Sequence, residues 1–210
     1  SIVKFDPKTE KFQQWVMPKE WQTDNAQTGH LAVGSTHLDN KVWIKNSDQS
    51  HILRLDISTG KFEDFGNQTD PTTGRKLGTY GIHSDSKNNI YLLDFSGNGI
   101  GKLDAKTKAY TLFKTPTPMS RPRRGRMDNQ DRLWFAEWRA DKVAMFDTKS
   151  GEFMEWEVPG KYVSPYDAQI DKNGEVWTNN MMDKTDPKIT DGDKGLTRIT
   201  FTPDYAHIET

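Results

Sequence analysis

The tract VKFDPKTEKFQQW at residues 3–15 returns three times, as LRLDISTGKFEDF at 53–65, GKLDAKTKAYTLF at 101–113 and AMFDTKSGEFMEW at 144–156. Asp6, Asp56, Asp104 and Asp147 align, then Phe12, Phe62, Tyr110 and Phe153, then Trp15, Phe65, Phe113 and Trp156, at steps of 50, 48 and 43 residues. A fixed recurrence of this length restricts the chain to architectures built from one repeated supersecondary unit. Each tract reads as a hairpin: a period-two strand ends at an Asp, a turn such as Pro-Lys-Thr-Glu follows, and the second strand alternates aromatic residues. The aspartates are expected to accept hydrogen bonds from their own turn amides.

A second unit precedes each of the later hairpins and recurs once more after the last. Its copies are HLAVGSTHLDNKVWIKN (30–46), YGIHSDSKNNIYLLD (80–94), RRGRMDNQDRLWFAE (123–137) and YDAQIDKNGEVWTNN (166–180), with Trp43, Tyr91, Trp134 and Trp177 in register. Each holds two short strands around an Asp-rich turn, so one period contains four strands. Four antiparallel strands per period with a recurring aromatic describe an all-β chain, a β-propeller of four-stranded blades. Solenoid repeats are usually shorter or helical, and no segment here sustains a helical period.

Seven Trp, ten Phe and six Tyr in a chain of strongly polar mean hydropathy must be buried somewhere regular, which excludes disorder. A net charge of −1 and the lack of a long apolar run give no reason to expect nucleic acid or membrane insertion. With no Cys there are no disulfides and no thiolate metal sites. The chain opens at Ser1 without an initiator Met, and the expectation is an exported, periplasmic or extracellular protein whose address has been removed.

Residues 1–20 supply only the outer hairpin of a first blade. Blades follow at about 30–67, 80–116, 121–159 and 164–210, and the last carries an insertion at 181–195 with Asp183, Asp186, Asp191 and Asp193. Those aspartates lack the ladder of a calcium loop and read as an elongated surface loop. About four and a half blades leave open edges, so the expectation is one partial propeller domain over 1–210, completed by further blades or by a partner subunit.

The stretch from SRPRRGRMDNQDRLWFAEW to the hairpin AMFDTKSGEFMEW, followed by SPYDAQIDKNGEVWTNN, resembles the repeats of the virginiamycin B lyase (streptogramin lyase) family. That resemblance implies a seven-bladed ring, which at this period would need about 300 residues. It also implies elimination at the ester of a cyclic depsipeptide, with a His base and a magnesium ion held by glutamates. Glu137, in WFAE, matches the family's metal-binding Glu in WFTE. The family's His after Arg-Pro is here Arg123, which cannot act as a base near neutral pH. The motif is retained and its catalytic His is not.

Two registers face the channel mouth of such a fold. The first holds His30, Tyr80, Arg123 and Tyr166, and the second Asn46, Asp94, Glu137 and Asn180. Asp94 and Glu137 from neighbouring blades either hold a hard, oxygen-coordinated ion such as Mg²⁺ or Ca²⁺, or belong to a structural polar ring. Arg123 between Tyr80 and Tyr166 suits a small polar or anionic ligand; alternatively it pairs with Glu137 or Asp94. Strand alternation predicts that Arg121, Arg123, Arg124 and Arg126 point to both faces and form no continuous patch. His37, His51, His83 and His207 are expected to be solvated. The leading reading is a ligand-binding or scaffolding module with Asn46, Asp94, Arg123, Glu137, Tyr166 and Asn180 as ligand contacts. The alternative is a metal-dependent lyase or hydrolase on an ester or polysaccharide, using Glu137 with a metal and recruiting as base His30, Tyr80 or Tyr166, or a His from further blades.

Overall fold

The computed structural model describes residues 1–22, 29–46 and 51–180, and the backbone of residues 196–201 and 206–209. The acidic insertion 181–195 and the side chain of His207 lie outside the described residues.

The hairpin β1 (Ile2–Asp6) and β2 (Lys11–Trp15) stands as a two-stranded sheet. Four antiparallel four-stranded meanders follow. The first is β3 (His30–Ala32), β4 (Lys41–Lys45), β5 (His51–Asp56) and β6 (Phe62–Asn67), and the second is β7 (Thr79–Ser84), β8 (Ile90–Asp94), β9 (Gly99–Leu103) and β10 (Tyr110–Lys114). The third is β11 (Pro122–Met127), β12 (Arg132–Glu137), β13 (Lys142–Asp147) and β14 (Phe153–Glu157), and the fourth is β15 (Pro165–Ile170), β16 (Val176–Asn180), β17 (Leu196–Phe201) and β18 (Ala206–Glu209). Within each sheet the strands pair in chain order, and the first strands β3, β7, β11 and β15 lie side by side across successive sheets. This is the arrangement of a β-propeller, with the first strands lining its channel.

Consecutive sheets pack face to face, so the middle strands are buried on both sides and lose the polar alternation of a half-exposed strand. Between the second and third sheets lie Tyr91, Leu93, Ile100, Leu133, Phe135, Ala144 and Phe146. Trp134, Val143 and Met145 meet Ala168 and Val176 of the fourth sheet. Trp43 and Ile52 meet Ile82, Ile90 and Leu92 of the second.

The turn aspartates act as expected. Asp56 accepts the amides of Ser58 and Thr59, Asp104 those of Lys106 and Thr107, and Asp147 those of Lys149 and Ser150. Four residues after each hairpin Asp the backbone is left-handed, at Glu10 (φ 54°), Gly60 (73°), Lys108 (62°) and Gly151 (79°). Two copies have the glycine this conformation favours, and two do not. One difference from expectation is a short helix, α1 (Thr36–Asp39), in place of the turn joining β3 to β4.

Glu10→Gly is expected to raise stability by about 0.5–1 kcal/mol, measured by urea unfolding, because it relieves the left-handed penalty at an exposed residue. Gly125→Ala is expected to lower it by about 2–4 kcal/mol, because an added Cβ would lie 1.9 Å from the Trp134 carbonyl oxygen.

Candidate functional site

Three channel strands share a local irregularity. The pairing of β7 with β8 slips between Thr79 and Ile82, that of β11 with β12 between Pro122 and Gly125, and that of β15 with β16 between Pro165 and Ala168. Each slip is a bulge that sets two residues opposite one: Tyr80-Gly81 against Leu93, Arg123-Arg124 against Ala136, and Tyr166-Asp167 against Asn179. A bulge bends its strand and re-aims side chains, so the first register is directed by backbone geometry as well as by sequence position. The strands also approach closely here, since a Cβ at Gly81 would come within 2.9 Å of the Arg123 carbonyl oxygen.

The bulge at Arg123-Arg124 overturns the expected alternation of the arginines. The Arg123 guanidinium lies 3.7 Å from the Tyr166 ring centroid and 4.7 Å from that of Tyr80, and Arg124 lies 5.0 and 5.4 Å from the same two rings. Arg121, two residues earlier, stacks over Phe95 and Trp138, which also flank Arg123. Lys45 sits over Tyr80 from the other side, and the His30 ring meets Tyr80 edge-on. Adjacent residues that should diverge thus converge, and the cations form one patch at the end of the channel. Phe95 and Trp138 were missed in the sequence, although each directly follows a residue of the polar register, Asp94 and Glu137, and the same alignment exposes them.

Arg121 is held in the left-handed region at φ 56°. Its backbone is tied on both sides, its N–H to the Gly97 carbonyl and its carbonyl to the Trp138 N–H. Surroundings that fix a residue this way can sustain a conformation costing of order 1–3 kcal/mol.

Arg123 Nη2 donates to the Tyr80 hydroxyl at 3.3 Å, and the hydroxyls of Tyr80 and Tyr166 are 2.9 Å apart. Burial opposes ionisation of Tyr80, but the hydrogen bonds from Tyr166 and Arg123 and the charges of Arg123 and Arg124 outweigh it and lower its pKa below 10. Tyr166, whose proton serves that bond, is shifted upward. His30 falls to about 4, through burial first and then Lys45, Arg124 and Arg126, so it is neutral at ordinary pH and a weak base.

In the second register Asn46, Asp94 and Glu137 are buried and Asn180 is half-buried. Asp94 is fully buried; its carboxylate pairs with Arg75 at 2.5 Å and accepts the Gly78 amide and the Ser96 hydroxyl. Its charge is therefore directed at Arg75, from the loop leading into β7. Glu137 is also fully buried, and neither carboxylate oxygen has a hydrogen-bond partner among the described residues. Burial, reinforced by Glu155 and opposed by Ser120 and Lys142, pushes its pKa to about 8. The side-chain carbonyl oxygens of Asn46 and Asn180 are likewise buried without a partner among the described residues. A hard divalent ion needs six to eight oxygens, whereas the described residues hold no group of three or more candidate ligands and Asp94 is engaged by a guanidinium. The described residues do not assemble a cage for Mg²⁺ or Ca²⁺, and no chemical step is assigned to one.

Residues of β3, β7, β11 and β15 line an open cavity of about 410 Å³, His30, His83, Arg124, Arg126, Asp167 and Gln169 among them. His83 departs from the solvated role expected of it. Its Nε2 is buried without a partner among the described residues, and burial, with Arg126 and His30 nearby, lowers its pKa to about 3.

No protein-family profile matches this sequence, and no curated protein matches it. Solved structures do match in fold. A streptogramin B lyase superposes with TM-score 0.72 at 20% identity, over 99% of this chain and 60% of that one. A virginiamycin B lyase from Staphylococcus aureus gives 0.66 at 20% identity, over 99% and 61%. A gluconolactonase from Xanthomonas campestris gives 0.50 at 14% identity, over 76% and 50%. The chain thus has the β-propeller fold of these enzymes and spans about three fifths of the lyases' length.

Glu137 generates a pH signature. Its folded pKa of about 8 lies above the ordinary 4.5, so the native state favours the protonated form. Stability from this group is complete below about 4.5 and is lost as pH rises through about 8. Thermal melts from pH 5 to 9 are expected to show wild type losing stability relative to Glu137→Gln, the two converging at the acid end.

Proposed function

We propose that the channel mouth binds a small anionic ligand, and that recognition of this ligand is the module's function. The observation that carries this reading is the convergence of Arg121, Arg123 and Arg124 on the rings of Tyr80, Phe95, Trp138 and Tyr166. Neither Arg121 nor Arg124 pairs with a carboxylate among the described residues, and the Nε of each is buried without a partner. Partly buried positive charge without a counter-charge is costly, and an incoming anion relieves that cost. The aromatic walls suit a ligand with a flat or apolar body beside its charge.

Titration calorimetry with sulfate and benzoate tests this. Both are expected to bind, benzoate more tightly, with affinity falling as salt rises. Arg123→Gln is expected to weaken binding about tenfold or more. Arg121→Gly is expected to weaken it while raising the melting temperature, since it removes both a cation and a strained backbone. Absence of binding by either anion overturns the reading.

The lowered pKa of Tyr80 favours a second reading, elimination on a carboxylate-bearing ester or polysaccharide. Tyr80, as phenolate, would take the carbon-bound proton beside the carboxylate, and the electron pair would become the new double bond as the carbon–oxygen bond breaks. Tyr166 would protonate the leaving oxygen, and Arg123 would neutralise the charge gathering on the carboxylate. Ultraviolet absorbance of a new conjugated double bond, lost in Tyr80→Phe, is the expected signal. Turnover unchanged in that variant excludes Tyr80 as the base.

A further inference from the structure

The channel cavity is larger than a simple oxyanion needs, and its lining is divided by chemistry. On the β11 side stand two guanidiniums. Arg124 reaches over the Tyr80 and Tyr166 rings and so bridges mouth and cavity. Arg126 is held by an amide, its Nε donating to the Gln169 Oε1 at 2.7 Å. Gln169 is itself fixed, its Nε2 donating to the Asp167 Oδ2 at 2.7 Å, while the other Asp167 oxygen accepts the Ala168 amide. The rest of the polar lining is uncharged or acidic: the Asp167 carboxylate, Ser84, and the rings of His30 and His83, which burial keeps neutral and which therefore each offer one donor and one acceptor nitrogen. Ile82, Ala32 and Met127 add apolar surface.

This division constrains what fits. A second carboxylate or a phosphate placed against Asp167 would be repelled, and a purely apolar group would displace water from the guanidiniums, Asp167 and both imidazoles without replacing its hydrogen bonds. A hydroxylated chain, whose groups both donate and accept, replaces them. We propose that the cavity takes a sugar acid, an aldonate or uronate, with its carboxylate against Arg124 at the junction with the mouth and its hydroxyls directed to Asp167, His83 and His30. The inference rests on anion recognition at the mouth and specifies the remainder of the ligand. The cavity volume of about 410 Å³ is in the range of small-molecule sites.

Calorimetry on the 210-residue chain with D-gluconate, acetate and sorbitol tests it. Gluconate is expected to bind at least about tenfold more tightly than acetate, and sorbitol more weakly than either. Asp167→Asn is expected to weaken gluconate and leave acetate unchanged, and Arg124→Gln to reduce gluconate to the level of sorbitol. Intermolecular nuclear Overhauser effects from gluconate methine protons to the His83 and His30 rings are expected in the wild-type chain, which keeps the test open where a variant does not fold. Equal affinity for gluconate and acetate, or contacts confined to Tyr80 and Tyr166, overturns the cavity assignment while the mouth reading stands. No binding by gluconate, acetate, sulfate or benzoate overturns both.

Discussion

The fold depends on a hydrogen bond between the indole of the repeat tryptophan and the carboxylate six residues before it. Trp134 Nε1 donates to Asp128 at 3.0 Å and Trp177 Nε1 to Asp171 at 3.1 Å; Tyr91 makes the same connection through its hydroxyl to Asp85 at 3.1 Å. The same carboxylates accept turn amides, Asp128 from Gln130 and Arg132, Asp171 from Asn173 and Glu175, Asp85 from Lys87 and Asn89. One charged group therefore closes the turn and satisfies the only polar atom of a large side chain in the core, where an unmade bond would cost about 1–3 kcal/mol. The first sheet departs from this rule. Its connection is α1, and Trp43 Nε1 bonds instead to the Asn88 carbonyl of the next sheet at 2.8 Å.

These locks lie at the end of the channel opposite the bulges, and the two ends differ in character. At the lock end successive sheets are tied together, Ser86 to Asp131 and Asn88 to Asp39. At the bulge end Arg121, Arg123, Arg124 and Lys45 gather on aromatic rings rather than on acids. A register fixed at one end permits irregular backbone at the other, because a one-residue slip would move every buried aromatic to the wrong face.

Repeat length, the aromatic register and the turn aspartates were legible in the sequence because each follows from local chemistry at a fixed spacing. Asp104 accepts its own turn amides whatever surrounds it. The site was legible only in part. Tyr80, Arg123 and Tyr166 were placed together by alignment, and the structure brings them into contact. Arg124 was assigned to the wrong face, because period-two reasoning has no term for a bulge. Gly125, where a side chain would strike the Trp134 carbonyl, and the equivalent spacing in the next sheet, Tyr166-Asp167-Ala168 with Ala168 fully buried, are the signals that a rereading would use. Asp94 and Glu137 looked alike in sequence and differ in surroundings, because Arg75, from a loop with no repeat signature, pairs with one, and no cation among the described residues pairs with the other.

The difference between those two acids explains how a basic mouth can persist beside buried carboxylates. Asp94 is fully committed to Arg75, Gly78 and Ser96, and so contributes little field to the neighbouring arginines. Glu137, with its pKa pushed to about 8, carries little charge at neutral pH. Burial that protonates Glu137 therefore leaves the basic patch without a second buried carboxylate charge in the adjoining strand.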